Sequence, residues 1–109
     1  MSRISTHVLD VVMGRPAEGV AVHLDAREED AWIRVGSGTT DRDGRCSDLL
    51  REACAGEYRL VFATGNYLVR MGRSSVYPEI ILHFRCDGLE HLHLPLLLSD
   101  NSYTTYRGS

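Results

Sequence analysis

Glu57-Tyr58-Arg59-Leu60-Val61-Phe62 is the stretch that decides the fold. Tyr58, Leu60 and Phe62 alternate with Glu57 and Arg59, and a period of two puts apolar groups on one face of an extended strand and charges on the other. The same rhythm recurs through the chain. Val20, Val22 and Leu24 alternate with Ala21, His23 and Asp25; Ala31, Ile33 and Val35 face away from Arg34; Ile80, Leu82 and Phe84 oppose Glu79, His83 and Arg85. Between these runs stand turn signals, among them Gly14-Arg15-Pro16, Gly36-Ser37-Gly38, Asp43-Gly44, Gly65-Asn66 and Asp87-Gly88. Short half-buried strands punctuated in this way predict an all-β, antiparallel sandwich. Residues 66–71 break the pattern and suit a helix of one or two turns, with Thr64 as its cap, before Pro78 opens the next strand.

A length of 109 residues suits one core, and with no repeat, linker or low-complexity tract a single domain is expected over residues 1–109. The composition is 43% apolar and 25% charged with a net charge of −3, which suits a soluble globular chain and argues against a nucleic-acid partner. No apolar run approaches the roughly 18 residues of a spanning helix, and the N-terminal residues lack the basic, apolar and small-residue blocks of a signal peptide. No membrane partner is expected, and with no Ser-Lys-Leu address at the end the expected location is the cytoplasm. Cys46, Cys54 and Cys86 are odd in number and widely spaced, so reduced and mostly buried thiols are expected.

Both ends carry chemistry where small domains usually fray. The chain opens with Thr6-His7-Val8-Leu9-Asp10 and closes with Tyr103 and Tyr106 followed by Arg107, Gly108 and Ser109, which reads as a docked terminus. In His91-Leu92-His93-Leu94-Pro95 the alternation sends both imidazoles to one face, where they can act as a base, form part of a metal site or simply meet solvent. His7 or His23 could be added, but the metal-ligand spacings are absent, so no metal and no cofactor is expected. Asp41-Arg42-Asp43-Gly44-Arg45 is a turn whose aspartates can bond back to local amides and whose glycine permits positive φ. Arg45, at the start of a strand, is either a solvated charge or a fixed fork for an anionic or carbonyl-rich ligand. With no nucleophile elbow and no phosphate-binding glycine loop, an enzyme built on this chain would activate water without a covalent intermediate.

Four motifs in order resemble the transthyretin-like 5-hydroxyisourate hydrolases of urate degradation. They are Ser5-Thr6-His7-Val8-Leu9-Asp10 with Gly14-Arg15-Pro16-Ala17, Asp43-Gly44-Arg45, His91-Leu92-His93-Leu94-Pro95-Leu96-Leu97, and the closing Tyr106-Arg107-Gly108-Ser109. The resemblance spans essentially the whole chain. It implies a transthyretin-like sandwich of two four-stranded sheets with one short helix, and a homotetramer, a dimer of dimers, with active sites along its central channel. It further implies that 5-hydroxyisourate is opened by water to 2-oxo-4-hydroxy-4-carboxy-5-ureidoimidazoline. The implied catalytic residues are His7, Arg45, His93 and Ser109, with Tyr106, Arg107 and Gly108 also touching substrate; His91 is unassigned. The alternative is a small-ligand carrier such as vertebrate transthyretin, which has the same scaffold but lacks the tyrosine-arginine-glycine-serine ending. Arg73-Ser74-Ser75-Val76-Tyr77 and the loop Ser99-Asp100-Asn101-Ser102 depart from the family pattern outside the expected site.

Overall fold

The computed structural model describes residues 1–109, except for the side chain of Asp48. Nine strands and one helix run in the order β1 (Ser2–Asp10), β2 (Arg15–Pro16), β3 (Ala21–Glu28), β4 (Ala31–Thr39), β5 (Arg45–Ala53), β6 (Gly56–Phe62), α1 (Thr64–Arg70), β7 (Ile80–Cys86), β8 (Leu92–Leu98) and β9 (Tyr103–Thr105). They form two sheets. One has the order β4-β3-β6-β7, and the other runs β2-β1-β8-β9 with β5 also paired to β1. The second sheet counts five strands, yet it is four strands wide. The two-residue β2 meets β1 at Leu9 and Asp10, beyond the Ser2 to His7 stretch that pairs with β5.

The expectation of a purely antiparallel sandwich needs one correction, because β1 and β8 run parallel, from Ile4 opposite Leu92 to Asp10 opposite Leu98. Parallel neighbours need a crossover connection, and here nearly the whole of the other sheet supplies it. The alternation read from sequence fills the space between the sheets. Ile4 and Val8 from β1, Leu24 from β3, Leu60 and Phe62 from β6, and Leu96 and Leu98 from β8 are all fully buried or nearly so. Each such side chain contributes about 1.5–3 kcal/mol relative to exposure.

Three strand details differ from the sequence pattern. Ile33 and Val35 on β4 remain exposed, since β4 is the edge of its sheet and takes a register shift opposite Leu24 and Asp25. Asp25, expected on the wet face, is buried because Arg59 Nε donates to its Oδ2 at 2.7 Å and the guanidinium stacks over Trp32, 4.6 Å from the ring centroid. The strand after the helix begins at Ile80, while Pro78 lies before it and its carbonyl accepts from the Gly65 amide. Cys46 and Cys86 are buried and Cys54 is exposed.

The helix starts earlier than expected. Thr64 is its first residue, preceded by Ala63, and the Thr64 hydroxyl makes no capping bond. It ends in a Schellman arrangement: the Gly72 amide donates to Val69 O and the Arg73 amide to Leu68 O, with Gly72 at φ +73°. This ending aims Arg73 back at the far end of β1. There its Nη1 donates to Asp10 Oδ2 at 2.6 Å, and Tyr67 Oη donates to the same oxygen at 2.8 Å. Arg73 also meets Asp100, so one guanidinium ties β1, the helix and the β8–β9 loop together. The unfamiliar Arg73 and Asp100 segments are therefore each other's partners.

Burial alone would raise the Asp10 carboxyl, but hydrogen bonds from Arg73, the Met13 amide and Tyr67 outweigh it and hold the pKa below 3.8. Burial, reinforced by Asp10, pushes the Tyr67 phenol up to about 12. A depressed carboxylate contributes stability above its unfolded pKa and loses it as pH falls through the folded value. Replacing Asp10 with Asn weakens the charge-assisted bonds to the half-buried Arg73 guanidinium, which keeps Asp100, and should cost about 1.5–3 kcal/mol in urea unfolding at neutral pH. The gap from wild type should narrow as pH falls below 3.8, where the unfolded carboxyl takes up a proton, and close once the native one does.

Candidate active site

On β1 the side chains of Ile4, Thr6 and Val8 point into the core, so Arg3, Ser5 and His7 share the opposite face. Neighbouring strands set polar groups beside them. His7 stands opposite Arg45 in the antiparallel pairing with β5, and Ser5 is in register with His93 in the parallel pairing with β8. An open cleft of about 410 Å³ lies over this face, lined by Arg3, Ser5, Thr6, Arg45, Ser47, His91, His93 and Ser109. Its described side chains include two guanidiniums and two imidazoles, a composition that attracts an anionic or carbonyl-rich molecule.

The turn before β5 is tightly held. Asp41 Oδ1 accepts from the amides of Asp43 and Arg45, both at 2.9 Å, and the Gly44 amide donates to Asp41 O. Gly44 adopts φ +77°, and a Cβ there would lie 2.3 Å from Val8 O, so only glycine lets the turn press against β1. This contact fixes Arg45 at the cleft and gives His7 its partner. His7 Nε2 is 2.7 Å from the Asp43 carbonyl oxygen. A carbonyl only accepts, so His7 carries a proton on Nε2, and when the ring is neutral its lone pair is on Nδ1. The His7 ring lies beside the cleft, with its centroid 6.4 Å from that of His93.

His91 and His93 share one face as their spacing predicts, their rings stacked at 6.3 Å. Ser5 Oγ lies between them, 2.8 Å from His93 Nδ1 and 3.1 Å from His91 Nε2. Arg3 Nε donates to His91 Nδ1 over a longer 3.4 Å. Burial first, then the nearby charges of His7, Arg45 and His91, lowers the His93 pKa below 6.5.

The tail reaches this site at its last two residues. The Gly108 amide donates to His93 O at 2.8 Å, and Ser109 lines the cleft. A Cβ at position 108 would stand 3.0 Å from His93 Cδ2 and 3.1 Å from His93 O, so the tail seats closely because Gly108 has no side chain. Within the single chain, Tyr106 and Arg107 are not drawn into the cleft. Tyr106 is 55% exposed, and Arg107 turns to Glu90, with Nη2 to Oε2 at 3.0 Å. Sequence reasoning did not single out Arg3, Ser5 and Ser47, although the period of two along β1 places Arg3 and Ser5 on the face of His7. Among the described residues no cluster of three His, Cys, Asp or Glu side chains is placed to hold a metal ion.

A two-sheet sandwich with a histidine- and arginine-lined cleft on one sheet face defines a transthyretin-type domain. The HIUase/Transthyretin family model matches residues 4–108, and the chain belongs to that family. It is 42% identical over 109 residues to the 5-hydroxyisourate hydrolase of Salmonella dublin, covering 97% of this chain and 80% of that protein. The solved 5-hydroxyisourate hydrolase of Klebsiella pneumoniae superposes with a TM-score of 0.90 at 38% identity, covering 100% of both chains. Transthyretin from Sparus aurata superposes slightly better, at 0.93, with 32% identity and coverage of 99% and 97%. The backbone is thus common to a named hydrolase and a named transthyretin, and the difference between them must be sought in side chains.

A histidine whose folded pKa is lowered contributes stability that is full above the ordinary 6.5 and declines as pH falls below it. In an NMR titration of the ring protons, His93 should have its midpoint below 6.5.

Proposed function

We propose that this chain is a 5-hydroxyisourate hydrolase, a single catalytic domain that opens the cyclic amide of its substrate with water. The observation that carries the reading is the convergence of Arg45, His93 and Ser109 on one cleft, with His7 beside it, in a chain similar to named hydrolases. Water is a poor nucleophile at neutral pH, and imidazole is the side chain whose pKa suits it to take the proton. Arg45 cannot lose its charge, so it serves as holder of the substrate carbonyls and of the oxyanion that forms when water attacks. Ser109 supplies a further contact at the cleft.

The family resemblance adds an assembly to this reading, a homotetramer made as a dimer of dimers with the cleft opening on its channel. Edge strands of the two sheets, β7 and β9 among them, are available for pairing with a second copy. In such an assembly Tyr106 and Arg107, exposed in the single chain, are the tail residues free to meet a neighbouring subunit. Sedimentation of the purified protein as a monomer would remove the assembly from the reading.

The direct test generates 5-hydroxyisourate from urate with urate oxidase and follows its decay by absorbance. The protein should accelerate that decay over buffer; an unchanged decay would reject the activity. His7→Asn and His93→Asn should each lower kcat far more than they raise KM. Arg45→Ala should cost about 10²–10³ in kcat, the usual loss for one oxyanion donor. Deleting residues 107–109 should abolish turnover while the circular dichroism of the sandwich is retained.

A further inference from the structure

The Ser5 hydroxyl has one proton and stands between two imidazole nitrogens, 2.8 Å from His93 Nδ1 and 3.1 Å from His91 Nε2. With these two nitrogens its only hydrogen-bond partners among the described residues, its proton goes to one of them and it accepts from the other. The choice is made one step further back. Arg3 presents an N–H to His91 Nδ1, and a guanidinium has no lone pair to offer, so that nitrogen must accept. The His91 proton is then on Nε2 and is donated to Ser5 Oγ, and the Ser5 proton goes to His93 Nδ1. In the reverse arrangement His91 Nδ1 would carry a proton facing the Arg3 N–H, donor against donor.

We propose that Ser5 is a positioning residue. Oriented by His91 and Arg3, its hydroxyl holds neutral His93 with its proton on Nε2, and His93 therefore offers substrate a hydrogen-bond donor rather than a base. The inference deepens the hydrolase reading and rests on it for the division of labour that follows. His7 is held by the Asp43 carbonyl in the tautomer whose lone pair is on Nδ1. As the water oxygen bonds to the amide carbon, its proton passes to His7 Nδ1. The same proton is returned to the ring nitrogen as the carbon–nitrogen bond breaks, leaving a carboxylic acid that ionises to solvent. Arg45 and the Nε2–H of His93 hold the transient oxyanion, and His93 neither gains nor loses a proton.

The groups that face His93 are Ser5 and His7 on β1, Arg45 on β5, His91 just before its own strand, and the Gly108–Ser109 tail. His7, Arg45 and His91 all oppose protonation of His93, and so does a donor at its Nδ1. Removing the Ser5 hydroxyl should accordingly move the His93 titration upward.

The experiment is a long-range proton–nitrogen NMR correlation of the imidazole rings, recorded above the histidine titration range in wild type, Ser5→Ala and Ser5→Thr. Wild type should show His93 and His91 each protonated on Nε2 alone. Ser5→Ala should show His93 as a mixture of tautomers with a raised titration midpoint, and kcat should fall about tenfold with KM within twofold. Ser5→Thr, which keeps the hydroxyl, should restore the tautomer and most of kcat. A wild-type His93 protonated on Nδ1 overturns the proposal, as does a Ser5→Ala protein with the native tautomer and native kcat. If Ser5→Ala does not fold, the wild-type spectrum alone decides. The tautomer is read without substrate, so a protein inactive on 5-hydroxyisourate but with His93 protonated on Nε2 would sink the hydrolase reading and leave the hydrogen-bond chain standing.

Discussion

Everything at the site depends on β1 being paired along both of its edges. Its antiparallel contact with β5 sets His7 opposite Arg45, and its parallel contact with β8 sets Ser5 opposite His93. The pleat of a strand then does the sorting, since alternate residues face opposite ways. Ile4, Thr6 and Val8 are fully buried while Arg3, Ser5 and His7 are left to the polar face. Core and site are therefore built by the same nine residues, and the packing that fixes one fixes the other.

The far end of β1 is pinned by different means. Asp10 is fully buried and its carboxylate is met by Tyr67 and Arg73, which the helix and its Schellman ending deliver. A buried charge of this kind is costly unless its lone pairs are filled, and here they are. The arrangement ties the single helix, otherwise remote from the cleft, to the strand that carries His7.

Much of this was legible in the sequence. Period-two runs such as residues 57–62 gave the strands, Asp43-Gly44 gave the turn, and the spacing of His91 and His93 gave their common face. Arg45, His93 and Ser109 were marked by motif and do line one cleft. What could not be read depends on partners distant in the chain. The parallel union of β1 with β8 has no local signature. The burial of Asp25 rests on Arg59 and Trp32, and the early start of the helix at Thr64 was hidden because threonine suits a cap as well as a first turn. Ser5 went unremarked as a functional group because a serine means little until the two imidazoles beside it are known.

The turn that orients His7 divides its labour unevenly between main chain and side chain. Asp43 holds the imidazole through a carbonyl oxygen that every amino acid possesses, whereas Asp41 acts through its carboxylate and Gly44 through having no side chain at all. Natural variation can thus drift at position 43 without disturbing the histidine, while its two near neighbours are closed to substitution. Positions 41, 43 and 44 of one loop carry unequal evolutionary freedom, and a mutational scan across them would score position 43 as permissive between intolerant neighbours.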